Sequence, residues 1–315
     1  MVDSNDIHRH SLQRKRPSWV STVVVQVLLC VAFYVAITVW FPRARSRNTE
    51  LFKRKNGISD IFVARSTDLY FLSVRGGSRP VHSQTQLLQQ MEIVAKNIDV
   101  KFILDLSEVG ENDPLLQNAT QHYPSLNMLW YATGNGKNGN EGYLLKQFAL
   151  SHGQSLDIII LDMESWKNAE HKEEGNLSYT SQMDWLKKSL AESDSNWRVI
   201  LGYDPVIDCE EHLEERRRNL KAYHILRDVF LKHKVNVYLS KMGCAGRYFQ
   251  YSGMAYIGNP SYHVETNTTR EEEATNDDMF LLHRVNPLEI ETYFIDSSGE
   301  VVSRHTLSQW GNSVL

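Results

Sequence analysis

Cysteine is scarce: only Cys30, Cys209 and Cys244 occur in 315 residues. Three thiols cannot build a disulfide scaffold or a multi-cysteine zinc site. An excess of basic charge is missing too. The 34 Lys and Arg stand against 38 Asp and Glu, a formal net charge of -4 at pH 7. No overall positive field therefore attracts nucleic acid. Long apolar runs are absent with one exception, and a mean hydropathy of -0.40 excludes a polytopic membrane protein. There is no internal repeat and no low-complexity block. What remains, 42% hydrophobic and 23% charged residues, is ordinary globular composition, not that of a disordered or fibrous chain.

The exception runs from Trp19 to Phe41, 23 residues without a charge. As a helix at about 1.5 Å per residue it reaches roughly 34 Å, enough to cross a bilayer. Trp19 and Trp40 sit at its ends, where indoles prefer the interface. A buried core helix has no need of an apolar surface all the way round. A cleaved signal peptide has a shorter apolar region followed by small residues, whereas Phe41-Pro42-Arg43 follows here. The expected organisation is a basic tail (1–18), a transmembrane signal anchor (19–41), a polar basic stem (42–66), a folded domain (67–307) and a short tail (308–315). Its orientation is contested. Arg9, Arg14, Lys15 and Arg16 flank one side; Arg43, Arg45, Arg47, Lys53, Arg54 and Lys55 flank the other, which slightly favours a cytosolic domain. The sequons at Asn118, Asn176 and Asn267, all in polar and loop-like contexts, favour the opposite side. Composition leaves the two in conflict.

From Leu69 onward short apolar runs alternate with helical spacing. Strands are expected at Leu69–Val74, Lys101–Leu106, Asn127–Ala132, Asp157–Asp162, Trp197–Gly202 and Asn236–Leu239. Helices are expected at Gln84–Asn97, Glu141–Leu150, Ser178–Ser193 and Leu213–Lys232. That alternation predicts an α/β domain built from βαβ units around a largely buried sheet. After Gly253 come consecutive strands, Met254–Ile257, Met279–Val285, Leu288–Ile295 and Glu300–Thr306, with a hairpin turn at residues 297–299. The acidic stretch from Arg270 through Asp277 and Asp278 reads as a solvated loop.

Gly134-Asn-Gly136-Lys-Asn-Gly139 is a literal G-x-G-x-x-G between a strand and a helical segment, with Asp162 ending the next strand. In a dinucleotide site the glycines admit a pyrophosphate to a helix N-terminus and the acid takes a ribose hydroxyl. The motif normally follows the first strand of its unit, and here two strands precede it. A polar turn rich in Asn accounts for the glycines without any ligand, and that is the preferred explanation.

A second set of segments carries more. Trp197-Arg-Val-Ile-Leu-Gly-Tyr-Asp-Pro is followed, after a long helical stretch, by Val235-Asn-Val-Tyr-Leu-Ser-Lys-Met-Gly-Cys. Upstream lie Tyr70-Phe-Leu-Ser-Val-Arg-Gly-Gly, Phe102-Ile-Leu-Asp-Leu-Ser-Glu and Trp130-Tyr-Ala-Thr-Gly-Asn-Gly; downstream, Phe280 to Leu307 has the character of a closing hairpin. In this order, over roughly residues 68–307, the chain resembles the purple acid phosphatase branch of the calcineurin-like metallophosphoesterases. The resemblance implies a metallophosphoesterase-type β-sandwich flanked by helices (αββα), with a site at the C-terminal ends of its strands. Enzymes of that family hold two divalent or iron-type metal ions with two Asp, a Tyr, an Asn and three His. The metals clamp phosphate and activate a water.

Carried over by position, the two Asp become Arg75 and Glu108 and the Tyr becomes Glu111. The Asn is kept as Asn135. The His of the strand ending Gly-x-x-Pro becomes Tyr203, and the other two His become Met242 and Cys244. A further, non-ligand His becomes Gly136. Arg75 puts a fixed cation where a cation would bind, so the expectation is a degenerate site with no metal and no catalytic residue. His212 matches a histidine beside the bound phosphate in the family; its simpler explanation, an exposed histidine at a helix start, is preferred. Cys209 and Cys244 fall in loops that the resemblance brings together, either as a disulfide or as two free thiols.

The leading expectation is thus a membrane-anchored pseudoenzyme whose former cleft binds a protein or a phosphorylated ligand. Arg75, Lys137 and Lys241 would supply positive charge for the latter, and nucleic acid is not an expected partner. Because the family is secretory, the domain is placed in the lumen or outside the cell, a type II single-pass arrangement. The alternative is a divergent phosphoric monoester hydrolase that uses Glu108, Glu111, Asn135 and Asp204 as ligands with His212 as acid.

Overall fold

The chain divides into two units, Met1–Lys55 and Asn56–Leu315. The computed structural model describes residues 23–31, 67–134, 142–167, 177–207, 220–242, 247–259 and 278–309. Within the first unit, residues 23–31 are helical and expose their Val and Leu side chains. Among the described residues no helix is long and apolar enough to cross a membrane. The remainder of the expected span 19–41, the tail 1–18 and the stem 42–66 lie outside the described residues.

In the second unit two six-stranded sheets carry the fold. The first uses β1 (Leu69–Arg75), β2 (Val100–Leu106), β3 (Leu129–Ala132), β10 (Met279–Val285), β11 (Glu289–Asp296) and β12 (Val301–Ser308), in the order β12-β11-β10-β1-β2-β3. The second uses β4 (Leu144–Ala149), β5 (Ser155–Ile160), β6 (Trp197–Leu201), β7 (Val237–Ser240), β8 (Tyr248–Tyr251) and β9 (Met254–Gly258), in the order β4-β5-β6-β7-β9-β8. The strands β1, β2 and β3 run parallel, as do β5, β6, β7 and β9. Antiparallel strands close the other positions.

Alternation along each strand sorts side chains into three apolar layers. Phe71, Phe102, Leu104 and Leu106 of the first sheet meet Leu156, Ile158, Ile160, Val199 and Leu239 of the second between the sheets. Tyr70, Leu72, Val74 and Ile103 turn outward against α1 (Val81–Asn97) and α2 (Pro114–His122) through Leu87, Leu88, Met91 and Leu115. Ile159, Leu161, Ile200 and Tyr238 face the opposite side. There they cover α3 (Met163–Lys167), α4 (Leu177–Glu192) and α5 (Leu220–Lys232) through Trp166, Leu186, Leu226 and Phe230. Burial on both faces is why segments such as Phe102–Leu104 and Ile158–Ile160 are continuously apolar. Each such side chain contributes roughly 1.5–3 kcal/mol.

Three local expectations are corrected and one helix is added. Glu141–Leu150 is not helical where described; it forms the edge strand β4. Leu144 and Phe148 are four residues apart, a spacing that shares one face in a helix and in a strand alike. Phe148 stacks on Phe102 at 4.2 Å, a contact made from strand geometry. Asn118 lies inside α2 and is half-buried, not in a loop. That helix was not anticipated although Asp113 caps it, accepting from the Leu115 amide at 2.8 Å, with Pro114 in the first turn. Asp278 is not solvated: it pairs with Arg79 at 3.0 Å, both side chains only 2% exposed. The β11–β12 hairpin does follow its Ser-Ser-Gly signal, with Gly299 at φ 88° and the Asp296 carboxylate accepting from the amides of Ser298 and Glu300.

Candidate functional site

The parallel strands of both sheets end on the same side, and their loops make the site. β1 stops at Arg75, followed by Gly76 and Gly77. The Gly76 amide donates to the Leu106 carbonyl at 3.1 Å and the Gly77 amide to Asp113 Oδ2 at 2.7 Å. Arg79 fixes the same loop from its other end, donating to the carbonyls of Arg75 and Gly77 while paired with Asp278. After β2, the Ser107 amide donates to Thr133 Oγ1 at 2.9 Å and Ser107 Oγ to Asp113 Oδ2 at 2.6 Å. Gly134, at φ 107°, bridges to Val109, and a Cβ there would come within 2.8 Å of the Gly110 amide nitrogen. The close approach of these two backbones accounts for this glycine.

Tyr203, just past β6, joins the two sheets. It is hydrogen-bonded to both Glu108 and Arg75, and its phenol pKa is pushed up to about 12. Burial is the largest cause and the Glu108 carboxylate adds to it, while the Arg75 guanidinium opposes. Past β7, Lys241 Nζ lies 4.2 Å from the centre of the Tyr203 ring and 3.0 Å from Asp204 Oδ1. The backbone beneath is held by the Lys241 amide on the Tyr203 carbonyl at 3.0 Å and by Tyr238 Oη on the Asp204 carbonyl at 2.6 Å. Gly202 has to be glycine for that phenol to fit, since a Cβ would meet Tyr238 Oη at 2.1 Å.

The structure therefore brings Arg75, Glu108 and Tyr203 together, with Lys241 and Asp204 beside them. The Met242 carbonyl accepts from Ser240 Oγ at 2.7 Å in the adjoining loop. Glu111 is exposed on the 3-10 turn Gly110–Asn112. Asn135, Gly136, Lys137, Gly139, Asn176, Cys209, His212, Cys244 and Asn267 lie outside the described residues. Gly134 and Asp162 end strands of different sheets, which is not the adjacent pairing a dinucleotide fingerprint needs. Asp162 instead accepts from the Glu164 amide at 3.1 Å at the start of α3.

Two metals do not suit this set. A guanidinium and an ammonium occupy the cluster, and each carboxylate in it already faces a cationic or phenolic partner. Among the described residues no group of three His, Cys, Asp or Glu is arranged to hold a metal ion.

Two buried polar features at this end were not singled out in the sequence. A chain of hydrogen bonds crosses between the sheets: Thr292 Oγ1 to His283 Nδ1 (3.0 Å), His283 Nε2 to Ser73 Oγ (2.8 Å), and Ser73 Oγ to Asn259 Oδ1 (2.7 Å). Asn259 then reaches the Ser240 carbonyl through its backbone amide at 2.9 Å. With the single Ser73 proton given to Asn259, Nε2 carries the imidazole proton and Nδ1 accepts from Thr292. Burial pushes the His283 pKa down to about 3, so the ring is neutral. The second feature is Asp105, a lone carboxylate in the apolar run of β2 whose two oxygens find no donor among the described residues. A polar residue inside a strand buried on both faces was the available signal for each.

No family model and no curated protein sequence matches the chain. Solved structures do. GAP50, described as the anchor in the inner membrane complex of Plasmodium, superposes with a TM-score of 0.58 at 16% identity, over 77% of this chain and 89% of its own. PhoD aligns over 78% of this chain and 69% of its own, at 12% identity and a TM-score of 0.45. Vps29 of Chaetomium thermophilum aligns over 78% and 99%, at 11% identity and 0.40. The GAP50 likeness shows a shared fold. The two-sheet sandwich with helices on both outer faces is consistent with the metallophosphoesterase-type architecture.

Proposed function

We propose that this chain is a membrane-anchored pseudoenzyme built on a metallophosphoesterase-type sandwich, its former metal cleft turned into a binding surface. The observation that carries the reading is the Arg75–Tyr203–Glu108 cluster: the Tyr203 phenol of the second sheet hydrogen-bonds both Arg75 and Glu108 of the first where the resemblance would seat metals. Lys241 and Asp204 neutralise one another alongside. A cleft closed in this way suits recognition of a protein partner. Arg75, Lys137 and Lys241 leave a phosphorylated ligand as the second class of occupant. Anchoring rests on the apolar run Trp19–Phe41, and the type II, luminal or extracellular placement on the secretory character of the resembled family. That GAP50 is itself described as an anchor agrees with a membrane role.

The test is the metal content of the full-length chain, purified in detergent after expression with iron, manganese and zinc supplied. The expected result is no tightly bound metal and no phosphomonoesterase activity. Near two metals per chain, with hydrolysis of a phosphomonoester, would overturn the reading in favour of a site rebuilt from Glu108, Glu111, Asn135, Asp204 and His212. Stabilisation by added inorganic phosphate would favour the phosphorylated ligand over the protein partner.

A further inference from the structure

Asp105 sits at the penultimate position of β2, on the face that packs against α1 and α2, and is sealed from solvent. Among the described residues the charged groups that act on it are Asp113 and Arg79. Asp113, at the N-cap of α2, presents a second buried carboxylate whose oxygens are taken by the Leu115 and Gly77 amides and by Ser107 Oγ. Arg79, entering α1, attracts Asp105 electrostatically, yet its hydrogen bonds go to Asp278 at the start of β10 and to the carbonyls of Arg75 and Gly77. With Asp105 ionised, its carboxylate would be added beside the buried Asp113 while Arg79, the cation that attracts it, is already paired with Asp278. Such an arrangement demands a compensating positive charge.

The loop that carries Arg75 rests directly on this pocket. A Cβ at Gly76 would come 2.5 Å from Asp105 Oδ1 and 2.4 Å from Asp113 Oδ2, so the bare glycine backbone lies against both carboxylates. Any change in repulsion between them acts on Gly76, and Arg75 is the residue before it.

We propose that Asp105 and Asp113 form a proton-gated latch beneath the Arg75 loop. While Asp105 is neutral the loop is seated and Arg75 meets Tyr203 and Glu108; ionisation of Asp105 unseats the loop and opens the cluster. Burial is the main reason Asp105 keeps its proton well above the ordinary carboxylate range, the Asp113 charge adds to it, and Arg79 opposes. In the unfolded chain the same carboxyl ionises near its ordinary value of 3.8. Between that value and the folded one, unfolding releases a proton. The folding equilibrium therefore weakens as pH rises, by up to about tenfold per pH unit, until Asp105 ionises in the folded state.

The test compares the full-length chain with its Asp105→Asn variant between about pH 5 and pH 9, by thermal unfolding and by hydrogen exchange at Gly76, Gly77 and Ser78. The wild type is expected to lose stability as pH rises and to exchange these loop amides faster than intrinsic chemistry requires. The variant, the same size without a charge, is expected to lose both responses. Equal pH slopes in the two proteins would overturn the latch. So would stabilisation that follows added sodium, potassium or calcium and not the proton. Should the variant fail to fold, infrared spectroscopy of the wild type still decides: absence of a protonated, buried carboxyl at neutral pH overturns it. The latch rests on the loop geometry and not on the loss of metals, so this experiment and the metal measurement fail separately.

Discussion

Asp157 and Asp105 are both sealed inside the sandwich, one near the start of β5 and one near the end of β2. Asp157 accepts from Ser193 Oγ at 2.6 Å and Ser195 Oγ at 2.7 Å, and those serines are held in turn by Arg198 Nε and Gln147 Nε2. Among the described residues Asp105 accepts from nothing. The contrast extends to the surroundings. At the strand C-terminal ends burial also raises the Asp162 carboxyl, and the Tyr203 phenol stands at about 12. At one end the Asp157 carboxylate is held by two serine hydroxyls. The other tolerates unsatisfied and perturbed groups, a pattern that marks functional ends of a fold more often than structural ones.

The largest effect is expected at the satisfied end. Asp157→Ala strands two serine hydroxyls and the Arg198 contact behind them, and should cost about 3 kcal/mol in urea unfolding. The comparison is sharpest with asparagine at both sites: Asp157→Asn destabilises at neutral pH, whereas Asp105→Asn stabilises. A shared sign would break it.

The next effect comes from His283, whose pKa lies at about 3 in the folded chain. An unfolded imidazole ionises near 6.5, so below that pH unfolding takes up a proton and stability falls as pH falls. The loss approaches about 1.4 kcal/mol per unit until the folded value is reached. His283 thus destabilises towards acid while Asp105 destabilises towards alkali. A thermal profile that does not fall below about pH 6 would deny the buried neutral imidazole.

The smallest effect is at the rim. Lys241→Gln loses a partly exposed ion pair and a ring contact, about 1 kcal/mol together, and most of it should vanish in high salt. A larger, salt-independent loss would mean the two ends are more alike than their hydrogen bonds indicate.

Much of the fold was legible. The strands β1, β2, β5, β6 and β7 announce themselves as apolar runs because both faces are covered, and the Ser-Ser-Gly turn places the last hairpin. β4 was misread because Leu144 and Phe148 satisfy either period, and the short edge strand β8 has no buried run to reveal it. At the site, Arg75, Glu108, Tyr203 and Asp204 were named only through the resemblance, which assigns them to strand ends. Asp105 and His283 could not be assigned a role, since each is one polar letter in an apolar run.

By itself the sequence determined which face each strand residue takes and where chain direction reverses; that a basic residue stands at a metal-ligand position is what the resemblance implies. Only the tertiary structure decided which charges meet. Arg75 reaches Tyr203, and Asp278 reaches Arg79, because packing of the two sheets and their helices sets these distant segments side by side. The physical reason is range. Local pattern fixes the direction of a side chain within a few residues, whereas the donors and charges around a buried group come from segments far along the chain. Whether Asp105 finds a hydrogen bond or a proton is settled by that packing and by nothing in its neighbours along β2.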